Sequence, residues 1–306
     1  MPILVHFVPI RRRASSGTLI ASTSQNRPTE RLHDMKTTLP SARSRMPTSR
    51  LGGVPTVLPA SGPVTGQLSL GLGRPEADAE PRPLADRSTR PLPDVVHIRS
   101  WLCAAEQRSL ITQFRQWALP PAGLRHPRVP TGHLMSVQSV CLGWHWQPYL
   151  YSRTADDTDG APVKALPADL IELARRAVLD VAPLGDSARF EPDAAIVNFY
   201  EPGARLGLHQ DGEEPSEAPV VTISLGDTCT FRMAAPDRRT APFTDIELRS
   251  GDLLVFGGQN RRIYHGVPKV IDGTAPRWLD LPPGRLSITI RETGLSDIDT
   301  EVQSPA

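Results

Sequence analysis

Between residues 194 and 291 the chain is written in short segments of alternating apolar and polar residues, a pattern that leaves few folds open. Residues 195–200, 220–225, 228–233, 252–256, 263–267 and 285–291 are strand-length runs bounded by Gly, Pro, Asp and Asn clusters. Val221, Ile223 and Leu225 alternate with Thr222 and Ser224. Leu286, Ile288 and Ile290 alternate with Arg285, Ser287, Thr289 and Arg291. Successive strand side chains leave opposite faces, so such a run buries one face and turns the other toward something polar. Two helical patterns come first. Leu102, Leu110, Phe114 and Trp117 fall at helical spacing across 103–118 and stop at Pro120-Pro121; residues 167–182 open on a proline and close before Pro183. A short strand is expected at 94–98. Helices followed by antiparallel strands predict an α+β fold, a double-stranded β-helix (jelly roll) with the N-terminal helices packed on it.

Composition divides the chain ahead of that domain. Residues 1–90 hold 13 Lys/Arg against 6 Asp/Glu, leaving 21 against 27 for the remainder, so a formal +1 conceals a basic front and an acidic body. All five Trp and all four Tyr lie between Trp101 and Trp278. A front rich in Pro, Ser and Arg cannot bury enough apolar surface to offset chain entropy. Residues 1–92 are therefore expected to be a disordered tail, 93–296 one domain, and 297–306 a C-terminal tail. Arg11-Arg12-Arg13 followed by Ser and Thr with few acids admits two readings: an organelle transit peptide, or translation begun upstream of Met35 or Met46. Cys103, Cys141 and Cys229 show no CxxC spacing and no disulfide framework, which fits buried thiols in a reducing compartment. No apolar run approaches the roughly 20 residues that span a bilayer. The expectation is a monomer in the bacterial cytosol, with organelle targeting as the alternative and no membrane partner.

His209 and Asp211 stand two apart, so on an extended segment their side chains share a face. A neutral imidazole and a carboxylate bind a divalent metal once a third donor arrives, and His265 is the candidate. Two His and one carboxylate with the other positions open is the facial triad of non-heme Fe(II) sites. Arg285 and Arg291, six apart, share a face with Ser287 and Thr289. Two guanidiniums aimed into a barrel need anions, which a dicarboxylate would supply. Residues 123–165 carry Trp144, Trp146, Tyr149 and Tyr151 in an irregular Gly- and Pro-rich span, a flap that either packs or binds something flat. In and around it Trp146, His126, His133 and His145 are read as packing or surface, and Arg261-Arg262 as a solvated turn.

Together these motifs resemble the AlkB group of Fe(II)/2-oxoglutarate dioxygenases, which repair alkylated nucleic-acid bases. The matching residues are Asn-x-Tyr-x-x-Gly-Ala (198–204), His-x-Asp (209–211), Ser-Leu-Gly (224–226), Gly-Asp-Leu-Leu-Val-Phe-Gly-Gly (251–258), Tyr-His-Gly (264–266) and Arg-x5-Arg (285–291). Leu-Gly-Trp (142–144) and Tyr-Leu-Tyr-Ser (149–152) match the family's nucleotide-recognition flap. The resemblance covers about 95–295. It implies that His209, Asp211 and His265 hold Fe(II), and that Asn198, Tyr200, Arg285 and Ser287 bind 2-oxoglutarate, with Arg291 near its proximal end. It further implies that Trp144 stacks on an extruded base against His209, that Tyr149 and Tyr151 belong to the nucleic-acid side, and that Glu213 reads the base edge. O2 and 2-oxoglutarate would then be consumed to oxidise the N-methyl group of 1-methyladenine or 3-methylcytosine, releasing formaldehyde, succinate and CO2.

The chain departs from that pattern in three places. Glu213 is one methylene longer than the family's usual Asp, Gly212 replaces a basic residue, and Ser287 stands where Asn is common. An acidic body requires a local basic patch for alkylated DNA, or RNA, and Arg125, Arg128, Arg153 and Arg205 are the candidates, with the tail adding non-specific attraction. Gln67-Leu68-Ser69-Leu70-Gly71-Leu72 resembles the short peptides with which bacterial proteins dock into the sliding clamp; a chance Leu-rich patch is the alternative. An oxygenase acting on a protein or small molecule is the alternative to a nucleic-acid demethylase.

Overall fold

The structure, a computed structural model, describes residues 83–182 and 189–295. The 67–72 peptide, the candidate start codons and residues 297–306 lie outside the described residues. Seven strands form one antiparallel sheet in the order β1 (Ser88–Leu92), β2 (Val95–Ile98), β11 (Leu253–Phe256), β8 (Val220–Gly226), β13 (Arg285–Arg291), β6 (Ala194–Tyr200) and β3 (Gln138–Leu142). A second sheet runs β10 (Thr244–Leu248), β9 (Thr228–Ala234), β12 (Tyr264–Ile271) and β7 (Leu206–His209), and β4 (His145–Gln147) pairs with β5 (Leu150–Ser152) as a hairpin.

The large sheet is buried on both faces, and the period of two sorts its apolar residues between two cores. Leu253 and Val255 join the core under the helices, while Leu254 and Phe256 join the core between the two sheets. The first core is closed by α2 (Ala104–Trp117), which buries Gln107, Leu110, Ile111, Phe114 and Trp117, and by α3 (Ala168–Asp180), which buries Leu170, Ala174, Ala177 and Val178. Both sets follow the i, i+3, i+4, i+7 stripe of an amphipathic helix. At the start of α2 the Cys103 N–H donates to Glu106 Oε2 at 2.8 Å, completing a reciprocal cap. This is the jelly roll with helices on one side that the alternation predicts. No helix among the described residues is long and apolar enough to cross a membrane.

Two boundaries need correction. Order begins before residue 93, because β1 pairs with β2 from Ser88↔Ile98 and follows a short helix, α1 (Leu84–Arg87). The 123–165 span is not wholly irregular: β3 extends the large sheet, pairing β6 from Gln138↔Phe199 to Leu142↔Ala195. Two registers then place the chemistry. On the large sheet Ser287 lies opposite both Asn198 and Ser224, with Arg285 opposite Tyr200. On the small one His265 lies opposite His209.

Candidate active site

Direct pairing of His265 with His209 sets the imidazoles side by side, ring centroids 4.4 Å apart. The neighbouring residue must be glycine for the strands to close: a Cβ on Gly266 would meet Leu206 O at 2.8 Å and Gly207 O at 2.9 Å. Just past β7, Asp211 turns inward and is buried, whereas His209 keeps 37% of its side chain exposed. The Nε2 atoms of His209 and His265 lie 3.8 and 3.9 Å from the Asp211 carboxylate oxygens, and all three ligand atoms fall within 4.8 Å of one another. Each Nδ1 faces a carbonyl two residues back, Gly207 O and Ile263 O, both at 3.1 Å. Those contacts select the Nδ1–H tautomer and leave the Nε2 lone pairs for a metal. Burial, with His209 alongside, pushes His265 down to about 4, so it is neutral at pH 7. Asp211 Oδ2 is buried without a hydrogen bond. Three acceptors converging with no donor among them fit a divalent cation, and this donor set fits ferrous iron.

Behind the triad lies a buried ion network. Arg291 Nη2 is 3.1 Å from Asp211 Oδ2, and its Nη1 donates to Glu214 Oε1 at 2.5 Å. Tyr151 donates to the same Glu214 oxygen at 2.5 Å, and Arg261 Nη2 stands 3.6 Å from Oε2. Burial would raise the Asp211 carboxyl, but Arg291 and then the two imidazoles outweigh it and hold the group far below the usual carboxylate range. Glu214 is held low the same way, with Arg291 as the principal counter-charge. Two expectations change here: Arg261 is only 1% exposed and so no solvated turn, and Tyr151 serves Glu214 instead of lining the cavity. Arg291 spends its two Nη atoms on protein carboxylates, yet it lines the cavity and its Nε has no partner. Sequence reasoning passed over Glu214 entirely. The one signal available was a second glutamate three residues after the metal carboxylate.

Across the barrel, Arg285 is fully buried. Its Nε donates to Ser224 Oγ at 3.1 Å and its Nη2 to Ser287 Oγ at 3.3 Å, while Nη1 has no partner. Its guanidinium sits 5.1 Å over the Tyr200 ring. Burial pushes the Tyr200 phenol up to about 12, so it stays a donor. Asn198, Tyr200 and Ser287 line a cavity of about 710 Å³ that also holds His209, Asp211 and His265. An unpaired buried guanidinium nitrogen beside a phenol and an amide is a cradle for a carboxylate, and 2-oxoglutarate fits it.

The substrate side is where structure and sequence part most. Trp144 is absent from the cavity wall: it is buried, its Nε1 donates to Asp193 at 3.0 Å, and Arg153 covers its face at 3.4 Å. Trp146, expected to be packing, lines the cavity, as do Tyr149, Arg205, Glu213 and Arg239. Gly143, with φ of 79°, turns the chain between β3 and β4; Trp144 sits in that bend and Trp146 within β4. Tyr149 is 75% exposed at the cavity mouth. Of the four arginines proposed for nucleic acid, Arg128, Arg153 and Arg205 are exposed but Arg125 is buried in an ion pair with Asp157 at 3.0 Å. His145 is likewise buried, 2.6 Å from Asp157.

A family model described as the 2OG-Fe(II) oxygenase superfamily matches residues 94–291. The alpha-ketoglutarate-dependent dioxygenase AlkB of Escherichia coli is 37% identical over 226 residues, covering 71% of this chain and 96% of that protein. The DNA N(6)-methyladenine demethylase ALKBH1D of Arabidopsis thaliana is 32% identical over 219 residues, 65% of this chain and 49% of its own length. The chain thus spans about half the length of that plant relative. A tRNA demethylase of Schizosaccharomyces pombe, abh1, is 32% identical over 127 residues, 41% of each chain. Among solved structures OsALKBH1 superposes with a TM-score of 0.57 at 32% identity, covering 67% of this chain and 99% of that one.

Proposed function

The chain belongs to the AlkB family within the 2OG-Fe(II) oxygenase superfamily, and on that premise we propose that it is an oxidative demethylase of N-alkylated nucleic-acid bases, acting in DNA repair on lesions of the 1-methyladenine and 3-methylcytosine type. The observation that carries this reading is the single cavity shared by His209, Asp211 and His265, by Asn198, Tyr200 and Ser287 in front of Arg285, and by the aromatic Trp146. Ferrous iron held by the triad would supply, with O2 and 2-oxoglutarate, the oxidising power that hydroxylates the methyl group. The protein's own contribution is positional. The two imidazole Nε2 lone pairs and the ionised Asp211 present three donors, Arg285 and Tyr200 orient the cosubstrate carboxylate, and Arg291 keeps Asp211 charged. Glu213, Gln210 and Arg205 on the cavity wall offer polar contacts to a base edge and a phosphate. Trp146 offers a stacking face, worth roughly 1–3 kcal/mol per base. A base methylated on its pairing edge is already weakly paired, so extruding it costs less than extruding an intact one.

The names of two relatives favour a second reading, with N6-methyladenine in DNA or a methylated tRNA as substrate. One assay separates these. Iron-loaded protein is given single-stranded DNA and RNA carrying 1-methyladenine, 3-methylcytosine or N6-methyladenine, and formaldehyde is counted against succinate. Near-unit ratios on the first two in DNA are expected. Turnover confined to N6-methyladenine or RNA moves the assignment to the second reading, and 2-oxoglutarate consumption with no base restored ends both.

A further inference from the structure

Beneath the turn that carries Trp146 lies a buried polar cluster in which the chemistry above has no part. Arg125 enters from the loop after α2 and is bridged to β3 opposite Ser139. Its Nε donates to Asp157 Oδ1 at 3.0 Å, its Nη1 to Ser139 O at 3.0 Å, and its Nη2 to the backbone carbonyl of Trp146. The same guanidinium lies 3.7 Å from Cys141 Sγ and 3.2 Å from His145 Nε2. The Trp146 N–H in turn donates to Cys141 Sγ at 3.4 Å. Arg125 is 7% and Asp157 13% exposed at the side chain, so water competes little for these bonds. Burial would raise the Asp157 carboxyl, but Arg125 and then His145 keep it ionised as the counter-charge.

Both backbone polar groups of Trp146 are therefore held from below while its ring faces the cavity that contains His209 and Asp211. β4 is three residues long and, among the described strands, pairs only with β5. Across that pair Tyr151 stands opposite Trp146 and is tied to Glu214, so the hairpin is held at two points, by Glu214 on the β5 side and by Arg125 under Trp146. We propose that Arg125, clamped by Asp157, is a positioning residue for substrate selection: it sets where Trp146 stands in the cavity and thereby which base the cavity accepts. This rests on the reading of the cavity as the base site. A guanidinium suits the task because its planar fork binds a carboxylate, a strand carbonyl and the turn carbonyl at once in fixed directions. Lysine carries the charge without the fork.

The test compares the wild type with Arg125→Lys, Asp157→Asn, Trp146→Ala and the Arg125→Lys/Trp146→Ala double variant. Arg125→Lys and Asp157→Asn are each expected to raise KM for a methylated oligonucleotide about tenfold, with kcat changed less than about twofold. The double variant should be no worse than Trp146→Ala alone, because Arg125 acts through that ring. A second readout needs no substrate: Trp146 emission, isolated by subtracting the Trp146→Ala spectrum, should become more open to iodide quenching in Arg125→Lys. Additive effects in the double variant overturn the proposal. So does unchanged quenching in a folded Arg125→Lys or, should that variant not fold, in Asp157→Asn. A wild type that turns over no methylated oligonucleotide defeats the base-site reading, while the quenching comparison still decides whether Arg125 holds Trp146.

Discussion

Replacing Glu214 by glutamine removes one charge and almost no volume, and the structure says this near-isosteric change is costly. Four charges are packed together away from water: Asp211 and Glu214 against Arg291 and Arg261, with side-chain exposures of 6, 0, 4 and 1%. As two anions and two cations they balance; without the Glu214 charge they carry a buried +1. Glutamine can still accept from Arg291 Nη1 and Tyr151, so what is lost is charge, not a hydrogen-bond position. Removing one partner of a buried pair costs about 3–5 kcal/mol, with no solvent-screening discount because Glu214 is fully buried. For a domain of this size each kcal/mol moves the melting point by about 2–4 °C, so a drop of roughly 6–20 °C is expected. The assay is thermal unfolding by circular dichroism in chelator, wild type beside Glu214→Gln. Adding Arg261→Met to Glu214→Gln removes the surplus cation and should recover much of the loss. A single variant that melts within about 2 °C of the wild type, or a double variant worse than the single, would refute the charge-balance argument.

Three further outcomes follow from the same geometry. The metal-free protein should lose stability as pH falls from 6.5 toward 4: His265 is depressed to about 4 in the fold, so over that window the unfolded chain binds the extra proton. Its contribution is complete above 6.5 and amounts to about 3 kcal/mol; flat denaturant midpoints between pH 7 and 4.5 would contradict it. Arg285→Met should abolish the thermal shift produced by 2-oxoglutarate while leaving the unliganded melting point unchanged or higher, because a buried cation with an unpaired nitrogen is replaced by an apolar chain; a fall of more than about 5 °C would show that the Ser224 and Ser287 bonds matter more. Trp146→Ala should weaken binding of methylated oligonucleotide about five- to 150-fold in a folded protein, whereas Trp144→Ala, which empties a buried site, should act on the melting point; the reverse pattern would restore Trp144 as the stacking residue.

What the sequence disclosed and what it hid divide on one physical line. The strands of the large sheet alternate or run wholly apolar because their neighbours are fixed by the sheet, so β6, β8, β11 and β13 could be read from local pattern. His209 and Asp211 could be read because two-residue spacing is a statement about one segment. β7 and β10 were missed, being four- and five-residue strands of the small sheet with much exposed surface. β3 was hidden among prolines and aromatics, although its Val140, Cys141 and Leu142 are buried. Residues whose surroundings come from distant segments were misread. Arg261 looks like half of an exposed pair until Glu214, far back in the chain, is placed beside it. Arg125 looks like a phosphate contact until Asp157 arrives. Trp144 and Trp146 sit two apart and would share a face on a strand, but only Trp146 belongs to β4, while Trp144 lies in the bend that precedes it.

The charge balance behind the triad also bears on what iron does for the fold. Asp211 is shared: Arg291 approaches one oxygen at 3.1 Å, and each oxygen lies within 4 Å of an imidazole Nε2. Were Asp211 unpaired in the absence of metal, an isolated carboxylate would be stranded in a buried site, and metal would be needed for folding, as in small zinc domains. Arg291, shared between Asp211 and Glu214, and Arg261 together balance the two carboxylates, and both histidines have their Nδ1 protons satisfied by their own segments. The chelated protein should therefore keep its native circular dichroism and a cooperative melt. Added Fe(II), or redox-inert Mn(II), should raise the melting point only by the mass-action term, about 2.7 kcal/mol at a hundredfold excess over Kd. Collapse of the tertiary signal on chelation would mean that Arg291 does not hold Asp211 in place and that the network is assembled by the metal.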